Sequence, residues 1–311
     1  MKHIIGIHDE DLQPFYMDWK ETASHLLVGG SYQSGRTSLL RTIILSLAYT
    51  YSPEELHIVL IDASGRSLTD LTDLKHVIAW VNGEDDFAEH IAHLQNELAM
   101  RREKKVKNYP EILFVFDDYD LATDAMGINE EILLSLGKNL RQDSDLGFHF
   151  LVSLLASTRL HSDSLINQLK LLRVGISLGN AETLEALGAH ITSVMRKEQL
   201  PQGRGYFFAR SGISLVQFAN PDKENKKGKT IKDVVYNQWQ DFEQAQWKNP
   251  ANKNQIENVK NASAADIDAL QSKNTQQYES STGTYMDVDK SVRLYIEQQN
   301  QLRKEQDNGR D

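Results

Sequence analysis

Between the apolar run Leu26-Leu27-Val28 and the apolar-rich stretch 38–48 lies Gly30-Ser31-Tyr32-Gln33-Ser34-Gly35-Arg36-Thr37. The run reads as a buried strand and the stretch as a helix. What joins them keeps the spacing of a phosphate-binding loop, G-x-x-x-x-G-K-[ST], with arginine in the lysine position. Glycines at these two places let successive backbone N–H groups converge on one anion, and the helix that follows offers its positive end. The candidate phosphate-binding residues are Gly30, Ser31, Tyr32, Gln33, Ser34, Gly35, Arg36, Thr37 and Ser38. The ligand this pattern implies is ATP, with the Thr37 hydroxyl on Mg2+.

The second half of such a site is a carboxylate at the end of another buried strand. Residues 112–118, Ile-Leu-Phe-Val-Phe-Asp-Asp, supply it. Asp117 is expected to hold the metal through its water shell. A further buried strand, 57–62, falls between the two motifs in sequence, which fits the additional-strand class of such folds. Helices are expected over 87–107 and 129–140, and strands over 147–152, 172–176, 205–208 and 214–218. Strands alternating with helices imply an α/β fold: a mostly parallel sheet between two helical layers, with RecA-like P-loop NTPase architecture.

Composition and charge narrow the function. A chain of 311 residues with 40% hydrophobic and 25% charged residues is ordinary for a globular protein. No apolar run reaches the roughly 18 residues needed to span a bilayer, and the first residues lack the long apolar segment of a signal peptide. With no cysteine, disulfides and thiolate metal sites are excluded. A formal charge of −10 disfavours a nonspecific nucleic-acid surface.

The balance shifts near residue 220. Residues 1–220 carry 20 basic and 29 acidic residues, whereas 221–311 carry 14 and 15 and are rich in Asn and Gln. The expected organisation is therefore one α/β domain over 1–220 and a polar tail over 221–311. Apolar residues at helical spacing predict amphipathic helices over 230–247 and 286–304, with a flexible linker over 248–284.

The segments His25-Leu26-Leu27-Val28-Gly29-Gly30, Leu60-Ile61-Asp62, Asp117-Asp118-Tyr119-Asp120-Leu121, Asp145-Leu146-Gly147-Phe148-His149 and Leu200-Pro201-Gln202-Gly203-Arg204-Gly205-Tyr206 resemble, in this order, an FtsK/SpoIIIE-type ATPase module. The closer resemblance is to the last ATPase domain of the EccC/EssC coupling ATPases of type VII secretion. Active members of the wider family have lysine in the loop, glutamate after the metal-binding aspartate, and a Thr-Gln-Arg run on a later strand. Here those positions read Arg36, Asp118 and Ser153-Leu154-Leu155.

The resemblance therefore implies a degenerate nucleotide-binding module with weak or no hydrolysis, acting as a docking and regulatory platform. It implies tandem ATPase modules, WXG100-type secreted substrates and membrane-anchored secretion components as partners, with no direct nucleic-acid contact. The implied location is the cytoplasm, at the inner face of the membrane, and the chain is expected to be a fragment or a soluble subunit of a split system. The alternatives are a working FtsK/SpoIIIE-like DNA translocase module, and a competent secretion ATPase that uses Arg36. Arg101-Arg102 stand where related modules place a basic pair facing a neighbour's nucleotide. His90 and His93 have helical spacing without an evident third metal ligand. Tyr285-Met286-Asp287-Val288-Asp289 fits the loose Y-x-x-x-[DE] pattern of export signals.

Overall fold

In the computed structural model, residues 2–19, 24–104, 108–128, 130–142, 145–155, 163–179, 182–192 and 200–260 are described. The expected helix over 286–304 and the 285–289 pattern lie outside them. The described residues all fall within one compact unit.

Among the described residues ten strands form one sheet: β1 (Lys2–His8), β2 (Pro14–Asp18), β3 (Leu26–Gly30), β4 (Leu56–Asp62), β5 (Val77–Val81), β6 (Glu111–Asp117), β7 (Phe148–Leu155), β8 (Gly175–Leu178), β9 (Arg204–Ala209) and β10 (Gly212–Phe218). Their order across the sheet is β2-β1-β10-β9-β8-β3-β7-β6-β4-β5. From β8 to β5 the neighbours run parallel, and from β8 outward to β2 they run antiparallel. The strand inserted between the glycine-loop strand β3 and the aspartate strand β6 is β7. β4, which separates the two motifs in sequence, lies beyond β6.

The central strands are apolar on both faces because helices cover both. β4 is buried along its whole length. Along β6, Leu113 and Val115 enter the core with α1 (Arg36–Thr50), while Ile112, Phe114 and Phe116 enter the core on the other face. That second face is covered by α2 (Glu84–Lys104), α3 (Tyr119–Ala125), α4 (Glu130–Gln142), α5 (Ser164–Leu171) and α6 (Glu182–Ala186). Period-2 alternation in a strand thus feeds two layers at once.

The chain beyond 220 is better packed than its polarity predicts. α7 (Ile231–Trp239) is closed at its start by a capping box of Thr230 and Asp233, and it buries Val235 in the α1-side core. The helix expected over 230–247 ends at Trp239, whose indole donates to the Ala48 carbonyl at 2.6 Å. From there the chain runs past the β5 edge without regular structure. The Ala245 N–H donates to Lys75 at 2.9 Å and the Gln244 amide donates to Leu74 at 2.9 Å.

Trp247 then packs against His90, His93 and Phe114. α8 (Lys253–Lys260) follows along α2, within the stretch read from composition as a flexible linker. The polar groups of this strap are tied to backbone carbonyls and to Asn96 and Glu97, so Asn- and Gln-rich composition here reflects hydrogen bonding.

Candidate functional site

The two motifs meet at the carboxyl ends of the parallel strands. β3 is buried throughout and ends at Gly30, where a side chain would run into the Ser34 hydroxyl. The loop turns through Gln33 at φ 60° and Gly35 at φ 97°, and the Ser34 N–H donates to Ser31 at 3.2 Å. Gly35 then serves as the N-cap of α1 without a capping side chain. The first-turn N–H groups of α1 are therefore free for an anion. A cavity of about 690 Å3 opens over residues 32–38, bounded by Ser64, Ser67, Asp117, Asp118, Leu121 and Gln202.

Thr37 and Asp117 face each other in it. The Thr37 hydroxyl lies 3.1 and 3.0 Å from the two Asp117 oxygens. Asp117 is 5% exposed, and burial pushes its carboxyl above the usual carboxylate range. Hydrogen bonds from Thr37, Ser67 and Ser153 work against that rise, while the nearby Asp62 adds to it. Asp62 is the register partner of Asp117 across β4 and β6. Its own oxygens are taken by the Ser64 hydroxyl at 2.6 Å and the Leu68 N–H at 3.0 Å.

Sequence reasoning missed this hydroxyl set. In the sequence Ser153 is only the first residue of an altered catalytic run, yet its hydroxyl donates to Asp117 at 3.2 Å and accepts from the Asp118 N–H at 2.9 Å. Ser64 and Ser67 pair with each other at 2.9 Å on the loop after β4. Leu154 is buried and Leu155 partly so, and neither offers a polar group to the cavity.

Arg36 stands beside Asp118. Its side chain is 11% exposed, with Nη2 3.7 Å from Asp118 Oδ2, and Nη1 is sealed from solvent without a partner. Asp118 is the N-cap of α3 and holds a left-handed backbone, φ 56° and ψ 75°. The expected basic pair fares differently. Arg101 is 3% exposed and is consumed internally, by Glu97 at 2.9 Å and the Pro110 carbonyl at 2.9 Å, with the Tyr109 ring beneath its guanidinium. It therefore cannot face a neighbour's nucleotide; Arg102 is exposed. His90 and His93 meet Trp247, and among the described residues no cluster of metal-binding side chains occurs.

The donor set suits a nucleoside triphosphate with Mg2+: a glycine turn of free N–H groups, a hydroxyl beside a buried carboxylate, and a guanidinium nitrogen lacking an acceptor. Together with β7 inserted between β3 and β6, this defines a P-loop ATPase fold of the additional-strand type. Residues 7–135 match the sequence model of the FtsK/SpoIIIE family.

The chain is 28% identical over 231 residues to the ESX secretion system protein EccC of Thermomonospora curvata, which covers 69% of this chain and 17% of that protein. It superposes on the cytoplasmic domain of that type VII secretion ATPase with a TM-score of 0.61 at 26% identity, covering 71% of this chain and 26% of the other. It also superposes on ATPases 2 and 3 of the same protein in complex with a signal sequence peptide, with a TM-score of 0.59 at 26% identity, covering 71% and 41%. The chain spans under a fifth of the length of that curated relative. Among the described residues no helix is long and apolar enough to cross a membrane.

Proposed function

We propose that this chain is a nucleotide-holding module of a type VII secretion coupling ATPase, in which binding is retained and turnover is low. Residues 30–38 hold the phosphates of ATP, and Thr37 and Asp117 hold Mg2+, Asp117 through water. The cation would supply neutralisation of charge on the terminal phosphates. Asp118 replaces the glutamate that activates water, with a carboxylate one methylene shorter and engaged by Arg36. A displacement of about 1 Å at a reacting centre is worth on the order of 100-fold in rate. Leu154 and Leu155 add nothing to stabilise a γ-phosphate.

The observation that carries the reading is the Thr37–Asp117 pair in register with a glycine turn, next to altered positions at 36, 118 and 154–155. The occupied module serves as a docking and regulatory platform for small helical WXG100-type substrates, beside tandem ATPase modules and membrane-anchored secretion components, at the cytoplasmic face of the membrane. The signal-peptide complex of the Thermomonospora curvata protein supports substrate docking on such modules. The chain's formal charge of −10 supports the absence of nucleic acid from this list of partners.

The test is to measure the thermal midpoint and phosphate release on one preparation. MgATP is expected to raise the midpoint by several degrees while release stays near background. Equal melting with and without MgATP would remove the binding claim. Rapid release abolished by Asp117→Ala would instead establish a working ATPase using Arg36.

A further inference from the structure

The role of Asp118 follows from what surrounds Arg36, and it rests on the nucleotide-holding reading above. The guanidinium is rooted on the first residue of α1 and lies under cover, with one nitrogen near Asp118 and another with no acceptor. A separation of 3.7 Å is an ion pair without a formed hydrogen bond. Guanidinium donors in a fixed fork are best satisfied by an anion presenting several oxygens, and a sealed donor without a partner is costly. Neither neighbouring acid relieves it, since Asp117 is engaged by Thr37, Ser67 and Ser153, and Asp62 by Ser64 and Leu68.

Asp118 itself is held for this position. Its backbone occupies a left-handed conformation that non-glycine residues seldom adopt, and its N–H is fastened to Ser153. Its side chain stays 40% exposed, so it can turn to water without a buried charge being stranded. We infer that Asp118 is the internal counter-ion of Arg36, and that incoming phosphate must displace it, so that Asp118 sets nucleotide affinity by competition. The residue in the glutamate position then governs occupancy of the site. Ser153, fastened both to the Asp118 N–H and to Asp117, ties that exchange to the metal-binding carboxylate.

The experiment is a double-mutant cycle read as binding of ATP by titration calorimetry, with EDTA present so that Asp117 and metal do not intervene. Asn tolerates the left-handed backbone, so Asp118→Asn keeps the fold. Asp118→Asn is expected to tighten ATP about tenfold, and the gain is expected to shrink below about threefold in an Arg36→Gln background. An unchanged or weakened affinity in Asp118→Asn, with wild type binding normally, would overturn the inference alone. An equal gain with and without Arg36 would also overturn it, because simple repulsion between Asp118 and phosphate would then account for the effect. Absence of binding by wild type and all variants, with or without Mg2+, would remove the nucleotide reading and this inference with it.

Discussion

Thr37 and Asp117 are 80 positions apart in the chain, yet the Thr37 hydroxyl sits within 3.1 Å of both Asp117 oxygens. The contact brings the end of the glycine loop to the end of β6, with β7 between their parent strands. Without a cation the arrangement is electrostatically unfavourable, because Asp117 is buried beside Asp62 and its carboxyl is raised by that burial.

A carboxyl whose folded pKa lies above its unfolded value destabilises the fold wherever it is ionised, and the cost disappears once pH falls below both values. At neutral pH, Asp117→Asn is therefore expected to raise the metal-free thermal midpoint, by about 2 °C for a domain of this size. The same variant is expected to lose any further rise on adding MgATP. A fall in the metal-free midpoint would mean that the hydrogen bonds from Thr37, Ser67 and Ser153 outweigh the burial of the charge.

Legibility in the sequence divides by range of interaction. Gly30, Gly35, Thr37 and Asp117 announce themselves because each works through local backbone shape or its place at a strand end. Ser153 does not, because its value depends on β7 lying beside β6, an adjacency that no local pattern encodes. β5 leaves little trace in the sequence because its alternate residues are only half-buried at the sheet edge, and β2 because it is a short edge strand. The strap after Trp239 departs from both expectations, the helix continuing to 247 and the flexible linker from 248, because two tryptophans anchor it and its amides bond to fixed carbonyls, neither of which leaves a periodic pattern. Arg101 shows the reverse error: a charged residue on a helix read as surface is sealed among carbonyls.

Trp247 gives the strap a measurable hold. Its indole donates to His90 Nδ1 at 3.2 Å, its ring stacks on His90, and it reaches Phe114 in the core. Trp247→Ala is expected to lower stability by about 2 kcal/mol, less than for a fully buried tryptophan because this one is partly exposed. Trypsin is expected to cleave at Lys248 and Lys253 faster than in wild type, with ATP affinity unchanged. Unchanged cleavage and melting would show that the strap is held by its backbone bonds alone.

Acid should loosen this fold before it affects ordinary carboxylates. Burial holds His57 and His76 down to about 4, with Lys248 and Arg101 adding to the effect at His57, and it lowers buried His25 in the same direction. A histidine whose folded pKa is depressed contributes full stability above its unfolded value of about 6.5 and loses it as pH falls toward the folded value, since only the unfolded chain takes the proton. Each such residue is worth about 1.4 kcal/mol per pH unit across that window. The thermal midpoint is thus expected to be level from pH 7 to 8 and to fall steadily from pH 6.5 to 5. Replacing His76, whose Nε2 lies 2.7 Å from the Tyr51 carbonyl, by Gln is expected to lower the midpoint at pH 7.5 but to flatten its fall by about one proton's contribution. A midpoint insensitive to pH between 6.5 and 5 would mean that these rings gain protons in the folded state, and that the core around β4 admits water.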